Sequence, residues 1–161
     1  MTQISEEYIS TLNSPAGRIK ICATQTGVTA IKFIDNHVAI NENTITKQAK
    51  TQLKEYFNHE RKTFELPLEP KGTAFQKMVW KQLMSVKFGE LASYLDIATK
   101  LNSPKACRAV GAANGKNPIS IVIPCHRVIG SNGKLTGYAG GLKRKAKLLE
   151  LESSQTPFSL S

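Results

Sequence analysis

The tetrapeptide Pro124-Cys125-His126-Arg127 concentrates the reactive side chains of this chain. A thiol beside an imidazole and a guanidinium has the composition of an activated nucleophile, because the thiolate attacks and nearby positive charge favours it. Neighbouring residues generally point in different directions, so Cys125 and His126 are expected to exchange a proton through a water. A histidine in that role needs a carboxylate on its other ring nitrogen. Residues 71–161 carry only 4 acids, Glu90, Asp96, Glu150 and Glu152. The last two fall on a final helix and can reach back.

The elements that must position this tetrapeptide follow from local pattern. Residues 119–123 are apolar and β-branched and end at Pro124, which reads as a buried strand with the cysteine at its end. Thr73-Ala74-Phe75-Gln76 is a capping box. It opens a helix with the stripe Phe75, Val79, Leu83 and Val86, closed by Phe88-Gly89. Ser93 caps a second helix over 94–101, with Asp96 in its first turn. Asn102-Ser103 make a tight turn, and Ser103-Pro104 supply N-cap and first-turn proline for a third helix over 104–113. Two short helices so joined have the outline of a helix-turn-helix, and Lys105 and Arg108 share one face of the second. Leu142, Ala146 and Leu149 give a final helix, with Lys143, Arg144, Lys145 and Lys147 on its other faces.

Upstream lies a different kind of chain. Strands at 8–12, 18–23 and 28–33, punctuated by Ser14-Pro15-Ala16-Gly17 and Thr26-Gly27, predict a small antiparallel sheet. Ile45, Ala49, Leu53, Tyr56 and Phe57 predict a covering helix over roughly 43–58. Pro67-Leu68-Glu69-Pro70-Lys71-Gly72 breaks the pattern. The expected architecture is therefore α/β in the α+β sense: a sheet-and-helix lobe at 1–70, a mostly helical lobe at 71–153 and a loose tail at 154–161.

Charge divides at the same place. Residues 1–70 hold 8 Lys/Arg and 8 Asp/Glu, whereas residues 71–161 hold 14 against 4, which accounts for the whole net charge of +10. Such a one-sided field attracts polyanions, nucleic acid above all. A chain of 161 residues with 40% apolar and 21% charged residues is an ordinary globular one, with no apolar run long enough to span a bilayer. The N-terminus has neither a basic nor an apolar leader segment. Three scattered cysteines, Cys22, Cys107 and Cys125, argue for free thiols in a reducing, cytoplasmic compartment. Cys22, His37 and His59 are too few and too scattered for a four-ligand zinc site, so no metal is expected.

The run Asn117-Pro118-Ile119-Ser120-Ile121-Val122-Ile123-Pro124-Cys125-His126-Arg127-Val128-Ile129-Gly130 resembles the active-site signature of O6-alkylguanine-DNA alkyltransferases, also called methylated-DNA–protein-cysteine methyltransferases. The resemblance extends through Phe88-Gly89-Glu90, Ser93-Tyr94, Asn102-Ser103-Pro104-Lys105-Ala106 and Arg108-Ala109-Val110-Gly111. Downstream it takes in Gly137-Tyr138-Ala139-Gly140-Gly141-Leu142 and Leu148-Leu149-Glu150-Leu151-Glu152. It covers about residues 73–152, and the N-terminal lobe fits only in architecture.

The resemblance implies direct DNA repair: irreversible, single-turnover transfer of the alkyl group from O6-alkylguanine, and from O4-alkylthymine as well, to Cys125. It implies that His126 is the water-mediated base, Glu152 its carboxylate partner, and Tyr94 the proton donor to the departing guanine. Arg108 would enter the stack left by the flipped nucleotide, with Lys105, Ala109 and Arg127 contributing to DNA binding. Asn117 would hold the active-site strand, and Tyr138 and Ala139 would close the substrate pocket. The implied partner is double-stranded DNA carrying the lesion, with no cofactor, membrane or protein partner and a monomeric state; cooperative binding along DNA is left open. The rival is a non-catalytic, lesion-binding relative, in which the acceptor cysteine is replaced; here Cys125 is present. A plain helix-turn-helix regulator leaves the Pro-Cys-His-Arg run unexplained, and the basic half argues against a papain-like thiol hydrolase.

Overall fold

The computed structural model describes residues 7–153, and the tail expected at 154–161 lies outside them. The chain divides into two compact units, Met1–Lys71 and Gly72–Ser161.

In the first unit, β1 (Tyr8–Ser14), β2 (Gly17–Ala23) and β3 (Val28–Phe33) form an antiparallel sheet in the order β1-β2-β3. Ser14 pairs with Gly17 across the first turn, where Gly17 takes φ 130°, a conformation that favours glycine. Leu12, Ile19, Ile21, Ala23, Val28 and Ile31 are buried. So are Ala49, Leu53, Tyr56 and Phe57 of α1 (Thr44–Phe57), recurring at helical spacing so that one face packs inward. Asn43 and Thr46 close a reciprocal capping box at the start of α1, satisfying two donors that a helix otherwise leaves open. Polar groups buried here are paired: Ser10 Oγ donates to Glu42, and Gln52 exchanges two hydrogen bonds with the Glu65 backbone.

The second unit is built from α2 (Ala74–Leu83), α3 (Tyr94–Lys100), α4 (Cys107–Gly115) and α5 (Leu142–Ser153). Short parallel strands, β4 (Ala92–Ser93) and β5 (Val128–Ile129), pair between them. Capping boxes open α2 (Thr73 with Gln76) and α3 (Ser93 with Asp96), as their sequences predict. Three expectations need correction. α2 stops at Leu83 rather than at Phe88-Gly89; Val86 is buried from the turn that follows, and Trp80 joins the inner face, donating Nε1 to Ala113 O at 2.8 Å. The helix predicted at 104–113 begins as a single 3-10 turn over Pro104–Ala106, and Ser103 makes no side-chain cap. The inner face of α5 is Lys145, Leu148 and Glu152. Leu142 and Ala146 are exposed, because burial of one lysine and one glutamate rotates the helix away from its apolar stripe.

Candidate active site

The segment ahead of Cys125 is not the strand its composition predicts. Residues 119–123 are all buried but fold as a turn, with Val122 N donating to Ser120 O and Ile123 N to Ile119 O. The side chain of Asn117 substitutes for a strand partner. Its Oδ1 accepts from Ile119 N at 2.9 Å, and its Nδ2 donates to Ile123 O at 2.8 Å. Ile121 takes φ 74°, a backbone region that β-branched residues rarely enter. Cys125–Arg127 then form one 3-10 turn leading into β5. The cysteine is thus presented by a tight loop braced by the Asn117 side chain.

Cys125 is 3% exposed, and its Sγ lies 3.1 Å from Asn117 Nδ2. Burial pushes its thiol above the ordinary value of 9.0, while the Asn117 hydrogen bond and the charge of Lys145 oppose that rise. At neutral pH it is a thiol that must lose its proton during reaction. The adjacent His126 is fully buried, and its Nε2 lies 2.7 Å from Glu152 Oε2. Burial lowers its pKa below 6.5, against the pull of Glu152. Glu152 is ionised: burial would raise its carboxyl, but hydrogen bonds from His126 and Arg127 hold it at about 2. A carboxylate only accepts, so Nε2 carries the ring proton and Nδ1 keeps its lone pair. That Nδ1 is buried without a hydrogen-bond partner in the protein.

Arg127 is buried rather than on an open surface as a DNA contact would require. It is 6% exposed, donates Nε and Nη2 to the two Glu152 oxygens at 2.7 and 3.0 Å, and donates Nη1 to Val86 O at 2.7 Å. Its guanidinium also lies 5.8 Å from the centre of the Phe88 ring. A cation next to the reactive cysteine suggests a polyanion contact from sequence; the buried carboxylate of Glu152 claims it instead. Of the two acids left open, Glu150 is exposed and Glu152 is the one on His126.

Sequence reasoning misses two further members of the site. Lys145 is 0% exposed, and its Nζ donates to Val128 O and Thr136 O, each at 2.6 Å. Asn114, on α4, donates Nδ2 to Cys125 O at 3.4 Å. A lysine among Lys143, Arg144 and Lys147 carries no signal of burial; Asn114 lies within the stretch that resembles the family and could have been found there.

Tyr94, at the start of α3, has its ring against Gly111 of α4, 3.8 Å from where a Cβ would stand. Its hydroxyl is 2.8 Å from Thr136 Oγ1, on the loop 130–141. Tyr138 of the same loop buries its hydroxyl near Cys125, and burial raises its pKa beyond the ordinary tyrosine range, with the sulfur's charge adding to that rise. Ala139 is exposed at this loop. On the outer face of unit two, Lys105, Arg108 and Ala109 are all exposed around the start of α4, with Ala112 one turn on. The structure therefore brings Cys125, His126, Glu152, Asn117 and Tyr138 together and leaves Lys105, Arg108 and Ala109 as a separate basic helical face.

Among the described residues no group of three or more His, Cys, Asp or Glu is placed to hold a metal ion. Cys22 is buried, while His37 and His59 are exposed.

A sequence model described as the DNA binding domain of 6-O-methylguanine DNA methyltransferase matches residues 74–154. The ribonuclease-like domain of the same description matches residues 8–70, so the likeness of the N-terminal part extends beyond architecture. A methylated-DNA–protein-cysteine methyltransferase of Methanosarcina acetivorans is 45% identical, over 91% of this chain and 99% of its own length. The crystal structure of the Mycobacterium tuberculosis O6-methylguanine methyltransferase superposes with a TM-score of 0.86 at 40% identity, covering 96% of this chain and 99% of that one. That of the M. tuberculosis OGT in complex with DNA matches with a TM-score of 0.84 at 42% identity, over 93% and 95% of the two chains.

Proposed function

This chain belongs to the 6-O-methylguanine DNA methyltransferase family, and from that premise we propose that it repairs O6-alkylguanine in double-stranded DNA by one irreversible transfer of the alkyl group to Cys125. The observation that carries the assignment is the buried Cys125 with its adjacent, Glu152-oriented imidazole. The lone pair on His126 Nδ1 takes the thiol proton through one water, and ionised Glu152 stabilises the imidazolium that results. Asn117 Nδ2 steadies the charge growing on sulfur. The Sγ–carbon bond forms as the carbon–O6 bond breaks, the electron pair moves into the guanine, and Tyr94 supplies a proton to a ring nitrogen. A thioether is not hydrolysed, so each chain acts once and needs no cofactor.

O6 is hidden in the base stack, so the nucleotide must leave the duplex, at a cost that poor pairing of the lesion lowers. Arg108 fills the gap from the exposed face of α4, and the small Ala109 and Ala112 let that helix approach the minor groove closely. Lys105, beside it, faces the phosphates. The loop carrying Tyr138 and Ala139 closes over the flipped base. The same chemistry extends to O4-alkylthymine, whose alkyl carbon is bonded to an equivalent exocyclic oxygen. We assign the activity to a monomer in the cytoplasm with access to chromosomal DNA, in keeping with three free cysteines. No helix of the described residues is long and apolar enough to cross a membrane.

The test is Cys125→Ser mixed with duplex DNA containing O6-methylguanine. Alkyl transfer is lost while affinity for the duplex is retained; continued transfer overturns the assignment of the acceptor.

A further inference from the structure

Thr136 is tied at both ends. Its hydroxyl lies 2.8 Å from the Tyr94 hydroxyl, and its carbonyl accepts from Lys145 Nζ at 2.6 Å. The same ammonium holds Val128 O, one residue beyond the turn that presents Cys125. Lys145 is fully buried, so this anchor belongs to the rigid interior, whereas Thr136 itself is exposed on the loop 130–141. The loop is thus fixed to the cysteine turn through its backbone and to α3 through one hydroxyl. We infer that Thr136 is a positioning residue for alkyl transfer, fixing the Tyr94 hydroxyl where it delivers its proton to the departing base; this rests on the function proposed above.

Either hydroxyl can donate in this pair; with Thr136 Oγ1–H donating to the Tyr94 oxygen, the tyrosine's own proton is free for the guanine. As sulfur bonds the alkyl carbon and the carbon–O6 bond breaks, a ring nitrogen takes that proton. The phenolate left behind keeps the Thr136 hydrogen bond until solvent restores its proton. The thiol proton meanwhile rests on His126.

Thr136→Val keeps β-branching and the carbonyl that Lys145 holds, and removes only the hydroxyl. With the full-length chain and duplex DNA containing O6-methylguanine, the saturating single-turnover rate should fall about five- to tenfold, the effect of one lost hydrogen bond, with duplex affinity unchanged. Thr136→Ser should restore the rate. In a Tyr94→Phe background, Thr136→Val should slow transfer no further, because the two groups act as a unit. Equal slowing in that background, or none in the wild type, overturns the role of Thr136. A wild-type chain that never gains an alkyl mass overturns the transfer reading itself, and the role of Thr136 with it.

Discussion

The two units bury polar groups in opposite ways. In the first, Ser10 is paired with Glu42, Thr46 with Asn43 and Gln52 with the Glu65 backbone, all of them neutral side chains matched to a partner within the fold. In the second, Lys145, His126, Arg127 and Glu152 are buried together, and buried acceptors such as Asn114 Oδ1 and His126 Nδ1 are left without a hydrogen bond within the protein. Buried charge is costly unless paired, and unpaired acceptors rarely persist without a use. The first unit spends its polar interactions on holding a sheet under a helix. The second accepts a less favourable interior because a thiol must be deprotonated there.

Substitutions in the two units should therefore behave differently. The largest effect is expected from Glu152→Gln, which leaves Arg127 buried without its carboxylate and His126 without its orienting partner. Stability should drop by about 3–5 kcal/mol, and the transfer rate by about 100-fold or more. Wild-type values for both, by denaturant titration and single-turnover assay, would erase the contrast between the units.

Acid should act on the second unit next. Glu152 sits at about 2 in the folded chain against an ordinary 4.5, so its contribution is complete above pH 4.5 and is lost as pH falls toward 2. The loss amounts to about 3 kcal/mol. His126 lies below its ordinary 6.5, so the unfolded chain takes up that proton first and stability begins to decline as pH falls through 6.5. Unfolding curves across pH 3–8 check both steps; in Glu152→Gln the lower step should disappear.

Arg108→Ala separates the buried site from the exposed face of α4. Repair of duplex DNA should slow by about tenfold, while the reaction with free O6-benzylguanine stays within about twofold. Equal losses on both substrates would count against a role in flipping.

The smallest effect belongs to the first unit. Ser10→Ala removes one buried hydrogen bond and should cost about 1 kcal/mol of stability, leaving the transfer rate within about twofold. A rate loss of the size seen for Arg108→Ala would mean that the first unit contributes to chemistry after all.

What was legible in the sequence follows the range of the interactions involved. The capping boxes at Thr73–Gln76 and Ser93–Asp96 are local, and their helices begin where the pattern places them. The sheet strands are equally local, set by alternation and turn residues. Cys125 and His126 are legible from the chemistry of the Pro-Cys-His-Arg run, whereas the resemblance to a family is what selects Glu152 over Glu150, since nothing in spacing alone brings position 152 to position 126. Apart from the end of α2 and the 3-10 start at Pro104, the misreadings are tertiary. Residues 119–123 have strand composition, but they turn, with the Asn117 side chain bonding Ile119 N and Ile123 O at the two ends of the segment. Lys145 reads as one of several solvated cations on α5, yet two backbone carbonyls from other segments draw it inside. Arg127 reads as a phosphate contact because its carboxylate lies 25 residues away in sequence.

The most direct test of the central claim is peptide-level mass spectrometry of the wild-type chain after incubation with duplex DNA carrying a single O6-methylguanine. The account predicts one methyl group on the Cys125 peptide, saturating at one per chain. Methyl transfer to another residue, turnover beyond one per chain, or DNA binding with no gain in mass would contradict it.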